Sequence, residues 1–307
     1  MRSRAARFWA LTLGLLSIAA GLALIGAYVV LVHRGPGAAA AAAGGPPEPR
    51  PAPRIASAFP VLSVASPSAS VRAALANGLS NRGMTVALGV LDRATGTGVL
   101  YHEEITFQTA SIVKVDILAT MLWQVAAKKA ALTDDQEDLA ERMITASDND
   151  AASRMWDLIG QGRGLTAANQ AFGLRHTQPG PGPAWGSTRT TVADQLQLLN
   201  VVTSPSSPLP GQSREFILDL MSRVRTDQRW GVPAAAGRGA TGVFVKNGWD
   251  TRTSDADFWV ANSIGRIVEP GHDWLVVVLS NQNLSVDSGR VVVEKAATLA
   301  LQGLRAG

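Results

Sequence analysis

Strand signals in this chain lie on both sides of an unbroken helical block, and few folds satisfy that order. Met84–Asp92 alternates Val86, Leu88 and Val90 on one face, as a strand does, and Arg93–Gly98, with Thr-Gly-Thr-Gly inside it, reads as a hairpin turn into Val99–His102. Helical periodicity then covers Ser111–Lys129, Thr133–Ala146, Asp150–Ile159, Leu165–Phe172, Thr191–Val202 and Arg214–Val224, with Thr133 and Gln136 in capping-box spacing. Strands return at Thr241–Lys246, Asp257–Val268 and Asp273–Ser280, ahead of an amphipathic helix from Val286 to about Leu304, and a further helix, Ser66–Asn81, precedes the first strand. The expected fold is therefore of the α/β class, an α+β sandwich. Terminal helices flank a five-stranded antiparallel sheet, and a helical lobe is inserted between the strands.

Residues 1–34 read as a basic stub followed by a membrane anchor. Phe8–Val32 holds 25 residues without a charge, about 38 Å as a helix, against a hydrocarbon core of about 30 Å. Arg2, Arg4 and Arg7 precede it, which places the N-terminus in the cytoplasm and the rest outside a bacterial cell membrane, in a single-pass topology. Cleavage at the Ala38–Ala43 tract, giving a secreted protein, is the alternative; the length of the apolar run favours a retained anchor. Residues 35–57, rich in Ala, Pro and Gly, read as an extended spacer, and residues 58–307 as one folded domain.

The net charge of +4 does not describe a nucleic-acid footprint, because residues 1–57 carry six arginines and one glutamate and so leave the domain near −1. The absence of cysteine excludes disulfides, thiol catalysis and lipid attachment through a thiol.

Three short strings carry the chemistry: Ser111-Ile-Val-Lys114, Ser147-Asp148-Asn149 and Lys246-Asn247-Gly248. Ser111 and Lys114 lie one helical turn apart at the start of a segment apolar on nearly all sides. A lysine there has its charged form disfavoured and can act as a base towards the serine, whose position at a helix start aims backbone N–H groups at an oxyanion. Each string also has an ordinary structural reading: a helix-capping serine with a snorkelling lysine, a capping run between helices, and a solvated charge where a strand ends. As chemistry, Ser147 relays a proton to a leaving nitrogen and Asn149 bonds a substrate amide. Lys246 holds a substrate carboxylate and polarises Ser147, while Gly248 lets substrate backbone lie close. With five lysines against 23 arginines in the chain, two lysines in these strings are a notable placement.

In this order and context the strings resemble the penicillin-recognising serine enzymes, and the Ser-Asp-Asn form is most similar to class A β-lactamases. The resemblance spans nearly all of residues 66–305 and includes Thr190-Thr191-Val-Ala-Asp194 opening a helix. It implies Ser111 as nucleophile, Lys114 as activator, Ser147 as proton shuttle, Asn149 and Lys246 as substrate contacts, and the backbone N–H groups of Ser111 and Trp249 as an oxyanion hole. The expected partner is a small β-lactam or a peptidoglycan stem peptide, handled by a monomer without cofactor or metal ion.

Departures from that pattern shape the expected activity. Class A enzymes carry a deacylating glutamate in the loop between the second and third strings, whereas Thr177–Ser187 contains no acid; Asp157 and Asp194 are the nearest carboxylates and read as solvated or capping. Asn247 replaces a hydroxyl residue, Arg252 offers a nearby cation in compensation, and Trp249 is bulky where the family prefers small residues. The alternatives to a β-lactamase-like hydrolase are a D-Ala-D-Ala-type peptidase or penicillin-binding protein with slow deacylation, and a non-catalytic, membrane-tethered cell-wall-binding module. A serine–histidine triad is disfavoured: no Gly-x-Ser-x-Gly elbow exists, and His102, His176 and His272 have no motif context.

Overall fold

Strands from the two ends of the domain meet at the centre of one sheet. The computed structural model describes residues 59–64, 69–79, 83–252 and 258–306, with the side chains of residues 69, 70 and 252 left outside that description. The apolar segment 8–32 and the spacer 35–57 lie outside the described residues. β1 (Thr85–Asp92) pairs antiparallel with β2 (Gly98–Tyr101) on one side and with β7 (His272–Asn283) on the other, Leu88 opposite Val278. β6 (Phe258–Glu269) and β5 (Gly242–Arg252) complete the order β2-β1-β7-β6-β5.

Both faces of this sheet are covered. α1 (Ala69–Leu79) and α8 (Val286–Arg305) pack together on one face, and α6 (Val192–Thr203) lies on the other against β1 and β7. Gly89 permits that approach: a Cβ there would stand 2.8 Å from Leu196 Cδ1. β1 is consequently buried from Val86 to Asp92 on both faces, not only on the alternating face that its pattern suggested. Val276, Val277, Val278 and Leu279 at the sheet centre are fully buried, each contributing about 1.5–3 kcal/mol of transfer free energy.

The helical lobe surrounds α2 (Val113–Ala127), whose first ten residues are all buried, as a helix apolar on every side requires. α4 (Asn149–Leu158), α5 (Gln161–Phe172) and α7 (Gly211–Ser222) pack against it, and α3 (Asp134–Thr145) starts with the expected capping box of Thr133 and Gln136. The segment Ala110–Ala127 is long and apolar enough to cross a membrane, but it is the core helix of this lobe, 67% buried.

Three details differ from the sequence reading. A two-stranded ribbon, β3 (Phe107–Gln108) with β4 (Arg189–Thr190), interrupts the helical block; two-residue strands are too short to show a period. Ser111 sits in a turn of 3-10 helix, Ala110–Ile112, that leads into α2 and does not itself open the α-helix. β5 does not end at Lys246: Asn247–Arg252 continue the ladder opposite Ser263–Phe258, because β6 supplies the partner that local propensity does not.

Candidate active site

The turn bearing Ser111 is held from three sides. Buried Asn262 of β6 donates from Nδ2 to the carbonyls of Gln108 (2.8 Å) and Thr109 (3.0 Å), and Thr109 N–H donates to Thr188 O at 2.8 Å. β5 crosses directly against it: a Cβ on Gly248 would stand 2.7 Å from the backbone nitrogens of Ser111 and Ile112. Gly248 is thus required by the protein's own backbone, a reason for glycine separate from the expected approach of substrate. Ala110, immediately before the serine, is forced into left-handed backbone geometry with φ of 46°. Such strain costs on the order of 1–3 kcal/mol and persists only where the surroundings over-determine it.

Ser147 is the second strained residue, with φ of 54°, in the link between α3 and α4. Asp148 caps α4 by accepting from Ala151 N–H at 2.9 Å; that bond, together with the neighbouring Arg142 and Lys114 charges, holds its carboxyl below the usual range. The capping reading therefore holds for Asp148 alone. Its two neighbours turn to Lys114, whose Nζ donates to Ser147 O (2.7 Å), Ser147 Oγ (3.1 Å) and Asn149 Oδ1 (2.8 Å). Lys246 reaches the same hydroxyl from β5, donating to Ser147 Oγ at 2.9 Å and to Asn247 O at 3.0 Å.

Both lysines are fully buried. Burial pulls Lys114 down to about 7, with the Asp148 charge opposing it, and pulls Lys246 well below its usual value, the Lys114 charge adding to the effect. A hydroxyl between two amines that are readily neutral can accept a proton from one and pass its own to the other. Ser111 Oγ, expected within reach of Lys114, forms no hydrogen bond among the described residues; Lys114 is directed at Ser147 and Asn149 instead.

Ser111 opens onto a cavity of about 380 Å³ that Asn149, Trp185, Ser187, Trp249 and Asp250 also line. A larger open groove of about 890 Å³, beside Gly160–Arg163 and Pro179–Gly182, contains none of these residues, so volume alone does not mark the chemistry. Asn247 faces away from the cavity: its Nδ2 donates to Gln228 O (2.6 Å) and Trp230 O (3.0 Å), in place of the substrate contact expected of it. Alternation along β5 explains this, since Lys246 and Gly248 face the Ser111 turn and Asn247 the opposite side. Arg252 ends β5, and its side chain lies outside the described residues.

Several residues that shape the site were not legible as such. Asn262 is one, and nothing in its local sequence distinguishes it. Trp185 is another: its ring lies 4.8 Å from Lys114 Nζ, and its Nε1–H donates to Ser153 Oγ at 3.1 Å. The acid-free loop presents an indole to the buried amine, and among the described residues no carboxylate forms an ion pair with Lys114. Asp250, on the same face of β5 as Gly248, is the acid lining the cavity. Asp194, expected to be solvated or capping, is buried and accepts from Arg175 N, His176 N and Thr177 Oγ1, pinning the base of the loop. Asp157 is exposed, as expected. Two histidines make contacts away from the cavity: His102 Nδ1 pairs with Val86 O, and His272 pairs with Asp92 and stacks on Trp274.

Comparison with known proteins identifies the family and the fold. The family model described as "Beta-lactamase enzyme family" matches residues 135–304. The curated proteins named "Putative lipoprotein LppW" of Mycobacterium tuberculosis and Mycobacterium bovis are 29% identical over 220 residues, spanning 70% of this chain and 68% of theirs. Among solved structures, PBP-A superposes with a TM-score of 0.68 at 21% identity, over 80% of this chain and 100% of that one. A class A β-lactamase from Bacteroides cellulosilyticus gives 0.68 at 14% identity over 79% and 100%. A reconstructed ancestral class A enzyme gives 0.65 at 22% over 76% and 99%. At such identities the structural likeness shows the shared fold, while the family match takes in more than half of the 307 residues. The protein belongs to the beta-lactamase enzyme family.

Proposed function

We propose that this protein is a serine hydrolase that opens a β-lactam or a peptidoglycan-like amide through an acyl-Ser111 intermediate, outside the cytoplasm. The observation that carries the reading is Ser147 Oγ held at 3.1 Å from Lys114 Nζ and 2.9 Å from Lys246 Nζ, beside a cavity that exposes Ser111. Ser111 Oγ attacks the carbonyl carbon and its proton passes to neutral Lys114. The C–N bond then breaks as Ser147 delivers a proton to the leaving nitrogen, and Lys114 re-protonates Ser147. The turn crossed by β5 offers the N–H groups of Ser111 and Trp249 to the oxyanion. Asn149 contacts the substrate amide, and Lys246 polarises Ser147 from its buried position.

Membrane attachment through residues 8–32 accords with the lipoprotein name of the mycobacterial relatives. The sequence has no cysteine to carry a lipid, so the apolar segment is the proposed tether, residues 35–57 the spacer and residues 58–307 the hydrolase domain.

A specific observation favours the slow-turnover form of this activity, a penicillin-binding protein or D-Ala-D-Ala-type peptidase. The loop that would supply a deacylating carboxylate places Trp185 against Lys114. The test is intact mass against time for the full chain in detergent mixed with a penicillin, with Ser111→Ala alongside. An adduct present in the wild type and absent from Ser111→Ala is expected, and labelling of the variant would reject Ser111. Rapid clearance with accumulation of hydrolysed drug would identify a β-lactamase, and a long-lived adduct the slow form.

A further inference from the structure

We propose that Trp185 is a positioning residue that keeps hydrolytic water from the acyl-Ser111 carbonyl, and so sets the lifetime of the acyl-enzyme. The inference rests on the acyl-Ser111 reading. Deacylation requires a water oxygen to attack the acyl carbon while its proton passes to a base in contact with it. The bond from that carbon to Ser111 Oγ then breaks, and Oγ recovers a proton from the base. Lys114 is the buried amine beside the site, the base that such a water would have to reach. Its Nζ lies among Ser147 O, Ser147 Oγ and Asn149 Oδ1 on the α3–α4 side, and the Trp185 ring stands 4.8 Å from it. The same indole lines the cavity onto which Ser111 opens, so it stands between the cavity and the amine.

The indole is held in place. Its Nε1–H is bonded to Ser153 Oγ of α4, and its backbone belongs to a 3-10 turn, Trp185–Ser187, closed by Thr188 N–H to Trp185 O at 3.1 Å. Trp156 Nε1–H ties the preceding loop to α4 through Gly182 O at 2.9 Å. The segment after it is tied to the nucleophile turn by the Thr109 N–H to Thr188 O bond. A ring bonded to α4, on a loop whose continuation is tied to the nucleophile turn, excludes water without having to close over substrate.

The experiment follows loss of the adduct by intact mass after free penicillin is removed from the labelled full chain in detergent. Opening the water path in Trp185→Ala is expected to speed deacylation on the order of tenfold, less than the roughly 10²-fold or more that a fully positioned general base provides. Trp185→Phe keeps a ring over Lys114 without the Ser153 bond and is expected to restore slow deacylation to within about threefold of wild type, since ring contact and not the hydrogen bond excludes the water. Structural damage would slow or abolish labelling and would not accelerate clearance. Should Trp185→Ala fail to fold, Trp185→Leu is read in the same way. A labelled wild type whose adduct clears within seconds, or variants that clear no faster than wild type, would overturn the role of Trp185 and leave the acyl-enzyme reading standing. A wild type that never labels would overturn both.

Discussion

Lys114 and Asp116 stand two residues apart on α2, both buried, and both are driven by burial towards the neutral form near pH 7. Their surroundings differ. Lys114 lies where the lobe meets the sheet, and α4 and its preceding link bring it three acceptors. Asp116 lies within the lobe, its carboxyl near the Asn169 side-chain amide but outside good hydrogen-bond geometry, so that the amide opposes its shift only weakly. Burial pushes Asp116 up to about 7, with the Asn169 amide opposing and the Asp194 charge adding to the rise. The same desolvation acts on an amine that faces the cleft in one place and on a carboxyl enclosed by the lobe in the other. A shifted titration does not by itself mark a site; converging partners and an adjoining cavity do.

The comparison can be broken most severely at Lys114. Lys114→Ala is expected to slow acylation by penicillin by two to four orders of magnitude, the range for removing a general base, followed as the rate of adduct formation; an unchanged rate would remove Lys114 from the mechanism. Asp116→Asn should act in the opposite sense, raising stability. The folded value of Asp116, about 7, exceeds the ordinary 3.8, so its share of stability is whole below pH 3.8 and is lost as pH rises through about 7. Urea unfolding should show the Asn variant roughly 2–4 kcal/mol more stable at pH 8 and near wild type at pH 4. Equal effects at both pH values would show that Asp116 does not titrate there.

The smallest effect sharpens the contrast in wild type. Lys114 acts as base only when neutral, so acylation should rise about tenfold per pH unit below pH 7 and level off above it. A profile flat from pH 5 to 8 would place the working base elsewhere. In Asp116→Asn the profile should keep its midpoint, since the two groups serve different regions of one helix.

Much of this was legible because it depends on neighbours in sequence. The capping box at Thr133, the all-apolar α2 and the strands β1, β6 and β7 follow from periodicity and local hydrogen bonding, both of which act over a few residues. The three strings were legible for the same reason: Ser111 and Lys114 are one turn apart, and Ser147 and Asn149 flank a cap. Asn247 was misread because its direction depends on where β5 runs beyond Lys246, which β6 decides through their shared ladder. The β3–β4 ribbon was missed because strands of two residues carry no pattern, and only their pairing across the chain makes them strands.

By itself, the sequence determined the fold class, the lobe built on α2 and the residue types that meet at the cleft, since binary patterning and turn chemistry are local properties. Tertiary structure alone decided that Lys114 faces Ser147 and Asn149, that Gly248 yields its side-chain space to the Ser111 turn, and that Trp185 of the acid-free loop lies against the amine. Those outcomes depend on close packing between segments more than thirty residues apart, where the available space and the unmet hydrogen bonds of one segment are supplied by another.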